Sequence, residues 1–300
     1  MSDHASITYR AGPLKRSRRS KDRTSQLDDQ IIAVLAADHP QSVRHVFYRM
    51  TDPRLAEAVE KSDRGYRHVQ DRCVKLRRSG RVPYGWIADM SRQGYFVNTF
   101  DDAGDFLRQM GGLYRGDLWR DADYRCEVWA ESRSIASVLL ADCKELAVDL
   151  YPCGGFSSLS FVHAASELHN NLDDSRPLVV LYIGDYDPAG VLIDVALQRE
   201  LRQHLRADIE LIFRRIAVNE DQVQVYDLPT KPRKEGDKRS QQVAYTVEAE
   251  AMPAASLRAI LRIEVELLLP EGALHATKVA EQSERAHISR MAVMFDRGQA

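Results

Sequence analysis

The chain lacks any apolar run long enough to cross a bilayer, and its opening residues are polar where a secretory signal would be apolar. The cell interior is therefore the expected location: cytoplasmic, or nucleoid-associated in a prokaryote, with no membrane partner. Cysteine is scarce. Cys73, Cys126, Cys143 and Cys153 show none of the close pairing of a zinc site or a disulfide scaffold. With 16 glycines and 11 prolines in 300 residues there is no collagenous or low-complexity bias. At 44% hydrophobic and 29% charged, the chain has the composition of a globular protein of one large or two ordinary domains.

The formal net charge of -2 conceals a division. Residues 1–92 hold 19 Lys and Arg against 11 Asp and Glu, whereas the other 208 hold 23 against 33. A net +8 followed by a net -10 suggests two modules, the first of which meets a polyanion. Arg10, Lys15, Arg16, Arg18, Arg19, Lys21 and Arg23 form a basic stretch opposed only by Asp22. Without apolar periodicity, residues 1–23 read as a flexible arm, either tracking a phosphate backbone or simply solvated.

Three helices are expected next. Thr24 or Ser25 can cap the first, with Leu27, Ile31, Val34 and Leu35 as its apolar stripe, and His39-Pro40 ends it. Ser42 opens a second, bearing Val43, Val46, Phe47 and Met50. The third spans about 62–78 and stops at Gly80. It sets Tyr66, Val69, Cys73 and Leu76 against Arg64, Arg67, Arg72, Lys75, Arg77 and Arg78. A basic third helix fits a helix-turn-helix or winged-helix module binding double-stranded DNA, and Arg16, Arg18, Arg19, Arg64, Arg67, Lys75, Arg77 and Arg78 are its candidate contacts. Tyr48 is either a half-buried packing residue or a phenol able to attack a phosphodiester.

From residue 123 the pattern becomes α/β. Tyr124 to Ala130 reads as a strand delivering Glu131, followed by a helix over 132–140, a strand near 146–151 and a buried strand over 178–183. The last breaks at Gly184-Asp185-Tyr186-Asp187-Pro188-Ala189-Gly190 before a helix from Val191 to about Leu205. Open α/β sheets build sites beyond the carboxyl ends of their strands, where Asp185 and Asp187 lie. Their carboxylates suit Mg2+, with Glu131 as third acid or Glu127 as its rival on the same strand face. As plain structure, Asp185 would be an Asx turn or cap and Asp187 a solvated turn acid.

Ile183 to Gly190 resembles the Asp-x-Asp-Pro-x-Gly motif of Toprim domains, and Ala130-Glu131 the glutamate ending the first Toprim strand. Val43-Arg44-His45-Val46-Phe47-Tyr48 resembles the Arg-x-x-Tyr-Tyr segment of the winged-helix domain in the topoisomerase VI A subunit and the related meiotic double-strand-break protein. The resemblance spans roughly residues 24–205. It implies an arm (1–23), a CAP-like winged helix (24–100), a linker (101–122), a Rossmann-like Toprim domain with a C-terminal elaboration (123–280) and a tail (281–300). It also implies that Tyr48 attacks a DNA phosphate and becomes linked to the 5′ end, with Arg44 contacting that phosphate. Mg2+ would sit on Glu131, Asp185 and Asp187 of the partner subunit in a homodimer. Ser132-Arg133 stands where the family has lysine after its glutamate, and Phe47 replaces the first tyrosine. No ATPase module is recognisable, so strand passage would need a separate ATPase subunit. Toprim nucleases that cut with metal and water offer a second reading, and a non-catalytic DNA-binding protein a third. The stretch 211–250 is less legible. Lys231 to Arg239 is a basic loop, Tyr245–Val247 a short edge strand, Glu248 and Glu250 lie near the site only if the chain folds back, and 256–268 is an amphipathic helix.

Overall fold

The computed structural model describes residues 19–89, 97–154, 159–232 and 243–297. Arg16, Arg18 and most of the expected arm lie outside them. Helix α1 (Lys21–Ala37) starts earlier than the expected cap at Thr24 or Ser25. Ser20 Oγ accepts the Arg23 amide at 3.2 Å, and Arg19 and Arg23 both pair with the buried Glu57, which orders the first turn. Ser42 caps α2 (Val43–Met50) and Ser62 caps α3 (Asp63–Arg78). Leu27, Ile31 and Leu35 of α1, Val46 and Met50 of α2, and Val69 and Cys73 of α3 are fully buried together. Arg72 of α3 pairs with Asp28 of α1, so this arginine is structural. Beyond Gly80, whose positive φ of 72° ends α3, the chain forms a 3-10 turn at Tyr84–Trp86 and a lone parallel bridge from Ile87 to Gln41. Among the described residues between 79 and 100 there is no two-stranded wing.

Residues 101–122, expected as a linker, contain α4 (Ala103–Gly111) and bury Leu118 and Ala122. A parallel sheet follows, with β1 (Arg125–Ala130), α5 (Arg133–Glu145), β2 (Asp149–Pro152), α6 (Leu159–Asn170), β3 (Leu178–Ile183), α7 (Gly190–His204) and β4 (Leu211–Ala217). The strand order is β2-β1-β3-β4. Val128, Ala130, Val179, Leu181 and Ile183 pack toward α5, while Trp129, Val180 and Tyr182 pack toward α6 and α7. The alternation covers both faces, which is why β3 reads as an unbroken apolar run. The chain is α/β, with a four-stranded parallel sheet compatible with a Rossmann-like domain.

The remainder contains α8 (Glu220–Val225), a short antiparallel pair of β5 (Lys231–Pro232) and β6 (Tyr245–Thr246), α9 (Ala254–Glu266) and α10 (Ala273–Arg297). Most of the expected tail is thus helical. Glu281 of α10 binds Arg115 Nε at 2.9 Å and the Gly116 amide at 3.0 Å. Linker and tail are each other's partners, and separation in the chain hides this from sequence periodicity. No helix among the described residues is long and apolar enough to cross a membrane, and none of the four cysteines is in a disulfide.

Candidate functional site

Strand β1 connects through α5 outward to β2, whereas β3 lies on its other side. The chain therefore reverses direction between β1 and β3, and a crevice opens beyond their carboxyl ends. Glu131 leaves β1 there, its amide held by Ile183 O at 2.8 Å. Asp185 and Asp187 leave β3 at the same level. They line one cleft of about 1000 Å3 with Glu248 and Glu250, beside Arg44, Arg133 and Lys231. The last two acids come from a distant segment because Tyr186 and Val247 exchange both backbone hydrogen bonds, at 2.9 and 2.8 Å, folding the chain back over the turn.

Each of the three motif acids has one oxygen fixed by backbone amides. Glu131 Oε2 accepts from Asp185 N at 2.8 Å, and Asp185 Oδ1 accepts from Ala249 N at 2.8 Å. Asp187 Oδ1 accepts from Ala189 N at 2.8 Å and Gly190 N at 2.6 Å, at the head of α7. Asp187, not Asp185, is therefore the acid that serves the helix terminus. Gly184 leaves room for Glu131, since a Cβ there would lie 2.5 Å from Glu131 Oε2. Gly190 is equally constrained: a Cβ would lie 2.2 Å from Asp185 O.

Burial pushes the Asp185 carboxyl well above its ordinary range, and the charges of Glu131 and Glu250 add to it. Glu131 is raised by burial and by Asp187, against the Asp185 amide, and Glu250 is raised by burial. Burial also works to raise Glu248, but Lys231 and Arg44 overcome it and hold that carboxyl below its ordinary value. Among the described residues no group of three or more His, Cys, Asp or Glu stands ready to hold a metal ion. The donors themselves are hard oxygens in a charge-crowded cleft, which fits Mg2+, an ion that commonly takes one or two carboxylates and completes its shell with water and phosphate.

Glu127 is placed elsewhere. It is 1% exposed and accepts from Trp129 Nε1 at 2.9 Å, while His169 Nε2 lies 2.6 Å from its other oxygen. Tyr48 is 4% exposed, and its phenol is raised by burial and by the charge of nearby Glu248. It lines a separate hollow with Arg49, Asp52 and Tyr226, while Arg44 faces the acidic cleft and pairs with Glu248. The basic residues of α3 divide between two sides. Arg64, Arg67 and Lys75 share a concave surface with Arg19, whose guanidinium is occupied by Glu57 at 3.0 Å. Arg77 faces the opposite side, toward Arg44, and Arg78 is exposed at the helix end.

Sequence reasoning set Glu248 and Glu250 aside and missed Arg215 of β4 altogether. Arg215 pairs with Asp194 at 2.7 Å and donates to the carbonyls of Gly184, Val218, Asp185 and Gly190 at 3.1–3.2 Å. It thus clamps the turn carrying both aspartates. The only sequence signal is an Arg-Arg pair interrupting an apolar run. Arg215→Lys, which keeps the charge but loses the planar fork, is expected to leave the fold intact while weakening Mg2+ affinity roughly 10–100-fold, read by Mg2+ titration of thermal stability. An unchanged titration midpoint would remove Arg215 from the site. Compared with known proteins, the chain matches no family model, no curated protein and no solved structure.

Proposed function

We propose that the chain is a Mg2+-dependent DNA phosphodiesterase acting at the acidic cleft, a small relative of the winged-helix and Toprim proteins that its motifs resemble. One observation carries this reading: Glu131, Asp185, Asp187, Glu248 and Glu250 share a single cleft with Arg44, Arg133 and Lys231 at the switch point of the sheet. Acids that hold a hard cation, set beside cations that hold phosphate, are the two parts phosphodiester cleavage requires. Glu131, Asp185 and Asp187 would hold Mg2+, which when bound polarises phosphoryl oxygens and neutralises charge developing on the leaving oxygen. Arg44 and Lys231, now paired with Glu248, would exchange that carboxylate for a substrate phosphate. The helical module would bring duplex DNA to the cleft through Arg64, Arg67 and Lys75.

Water is the nucleophile in this reading, because Tyr48 is buried and its phenol resists ionisation. A second reading follows from the nearness of the Tyr48 phenol to the Glu248 carboxylate. There the phenol oxygen bonds to phosphorus, its proton passes to Glu248, and the bond from phosphorus to the 3′ oxygen breaks, with the acids supplied by the partner subunit of a homodimer.

The test is incubation with supercoiled plasmid and Mg2+, a denaturing quench, and analysis with and without protease, beside Tyr48→Phe. The expected products have free ends and form equally with Tyr48→Phe. Ends carrying protein, absent with Tyr48→Phe, would establish the tyrosine mechanism. DNA binding without cleavage would overturn both readings in favour of a binding module.

A further inference from the structure

We infer that the hollow between α3 and the start of α5 is a subsite for one unpaired nucleotide of the strand adjoining the scissile phosphate. The inference rests on the phosphodiesterase reading and assigns that site its substrate form. The hollow has a volume of about 330 Å3 and adjoins the acidic cleft, with which it shares Arg44, Arg133 and Ser134. Acids gather at one end. At the other, Arg44, Arg77 and Arg133 face a lining in which Asp89 is the single carboxylate.

Arg44 is paired with Glu248, but the other two cations are not in salt bridges among the described residues. Neither Arg77 nor Arg133 has a carboxylate partner among the described residues, and Arg77 Nε is buried without a hydrogen-bond acceptor. That atom has no accessible surface, so a phosphate would meet the parts of Arg77 and Arg133 that line the hollow. The Arg77 guanidinium lies 5.6 Å from the Tyr84 ring centre, and that of Arg44 lies 5.0 Å from Tyr66. Both lie within cation–π range of an aromatic ring, and a planar guanidinium fork suits phosphate. Tyr66, Val74 and Ile87 offer the remaining wall an apolar surface, and Gln70 offers an amide donor and acceptor to a base edge. Phosphate plus base is a nucleotide. The volume lies at the small end of ligand pockets, which suits a single nucleotide and excludes a stacked duplex. A duplex must therefore fray, or swing one nucleotide out, to fill it. The outer side of α3, with Arg64, Arg67 and Lys75, remains for duplex phosphates.

The experiment measures fluorescence anisotropy of a short labelled single strand, and of the same sequence as duplex, in EDTA so that no turnover contributes. Arg77→Gln and Arg133→Gln are expected to weaken single-strand binding roughly tenfold and duplex binding far less. The Arg64→Gln/Arg67→Gln pair should do the reverse, and Arg199→Gln on α7 should change neither. Wild-type single-strand affinity in both Arg77→Gln and Arg133→Gln, or equal losses for the two DNA forms, would overturn the subsite. Arg133 is exposed, so its variant reports even where Arg77→Gln fails to fold. Because binding is read without metal, a failed plasmid assay with the expected affinities would sink the phosphodiesterase reading alone.

Discussion

Asp185→Asn is expected to abolish Mg2+-dependent cleavage, lowering it by at least roughly 10²–10³-fold, and at the same time to raise the melting temperature in EDTA at neutral pH. The two effects have one cause. Asp185 is buried against Glu131 and Glu250, and its carboxyl is pushed well above the ordinary 3.8. A group whose folded-state pKa is raised adds stability that is fully present below its unfolded pKa and lost as pH rises through the folded value. The raised pKa therefore costs the metal-free protein stability at neutral pH, and asparagine removes that cost while still offering an oxygen to the Ala249 amide at its present 2.8 Å contact. The stability gain from the substitution should shrink as the buffer is taken from neutral toward the ordinary carboxylate range. Mg2+ acts oppositely, since it favours the ionised forms and stabilises by mass action. Wild type should gain stability on adding Mg2+, and Asp185→Asn should gain little. Differential scanning calorimetry of both proteins, with EDTA and with Mg2+, reads all of this. Equal Mg2+ increments in the two would show that Asp185 holds no metal.

A second pair of substitutions separates two glutamates that lie only four positions apart. Glu127→Ala should cost about 3–5 kcal/mol, because it leaves buried groups without their partner. Arg125 can only donate, so its 2.9 Å contact makes His169 Nδ1 the acceptor and puts the ring proton on Nε2, facing Glu127. Removing Glu127 strands that N–H, the Trp129 indole N–H, and part of the charge balance of Arg125, all of them largely buried. For a chain of this size the melting temperature should fall by roughly 10 °C. What remains folded should keep its response to Mg2+. Glu131→Gln should do the opposite, since glutamine can still accept the Asp185 amide: it should melt within about 1 kcal/mol of wild type but neither cleave DNA nor respond to Mg2+. Loss of the Mg2+ response in Glu127→Ala together with its survival in Glu131→Gln would invert the assignment.

Much of this site was legible along the chain. The apolar run of β3, its break at Gly184 and the return of helical periodicity placed Asp185 and Asp187 at a strand end, because a buried parallel strand and an amphipathic helix have distinct periods. Ser42 caps its helix where expected and the third helix starts beside Ser62 as its pattern indicated, since capping is a contact between near neighbours. The same local logic placed the first cap too late, because Arg19, Arg23 and Glu57 are joined only in three dimensions.

Local chemistry could not choose between Glu127 and Glu131, as both belong to one alternating strand face. The tertiary structure sets them apart: Glu127 lies in the core against the Trp129 indole, while Glu131 lines the crevice. Nor could it find β4, whose arginines break the apolar pattern because one of them reaches across to the turn between β3 and α7. The sequence by itself determined the α/β order, the helical N-terminal third and the two motif aspartates, all consequences of period, caps and turns within a few residues. Only the tertiary structure decided that Glu248 and Glu250 join the cleft, that Tyr48 is buried and lines a different hollow, and that residues 101–122 pair with the C-terminal helix. These depend on segments far apart in the chain meeting in space, where burial and charge act on whatever the fold brings together.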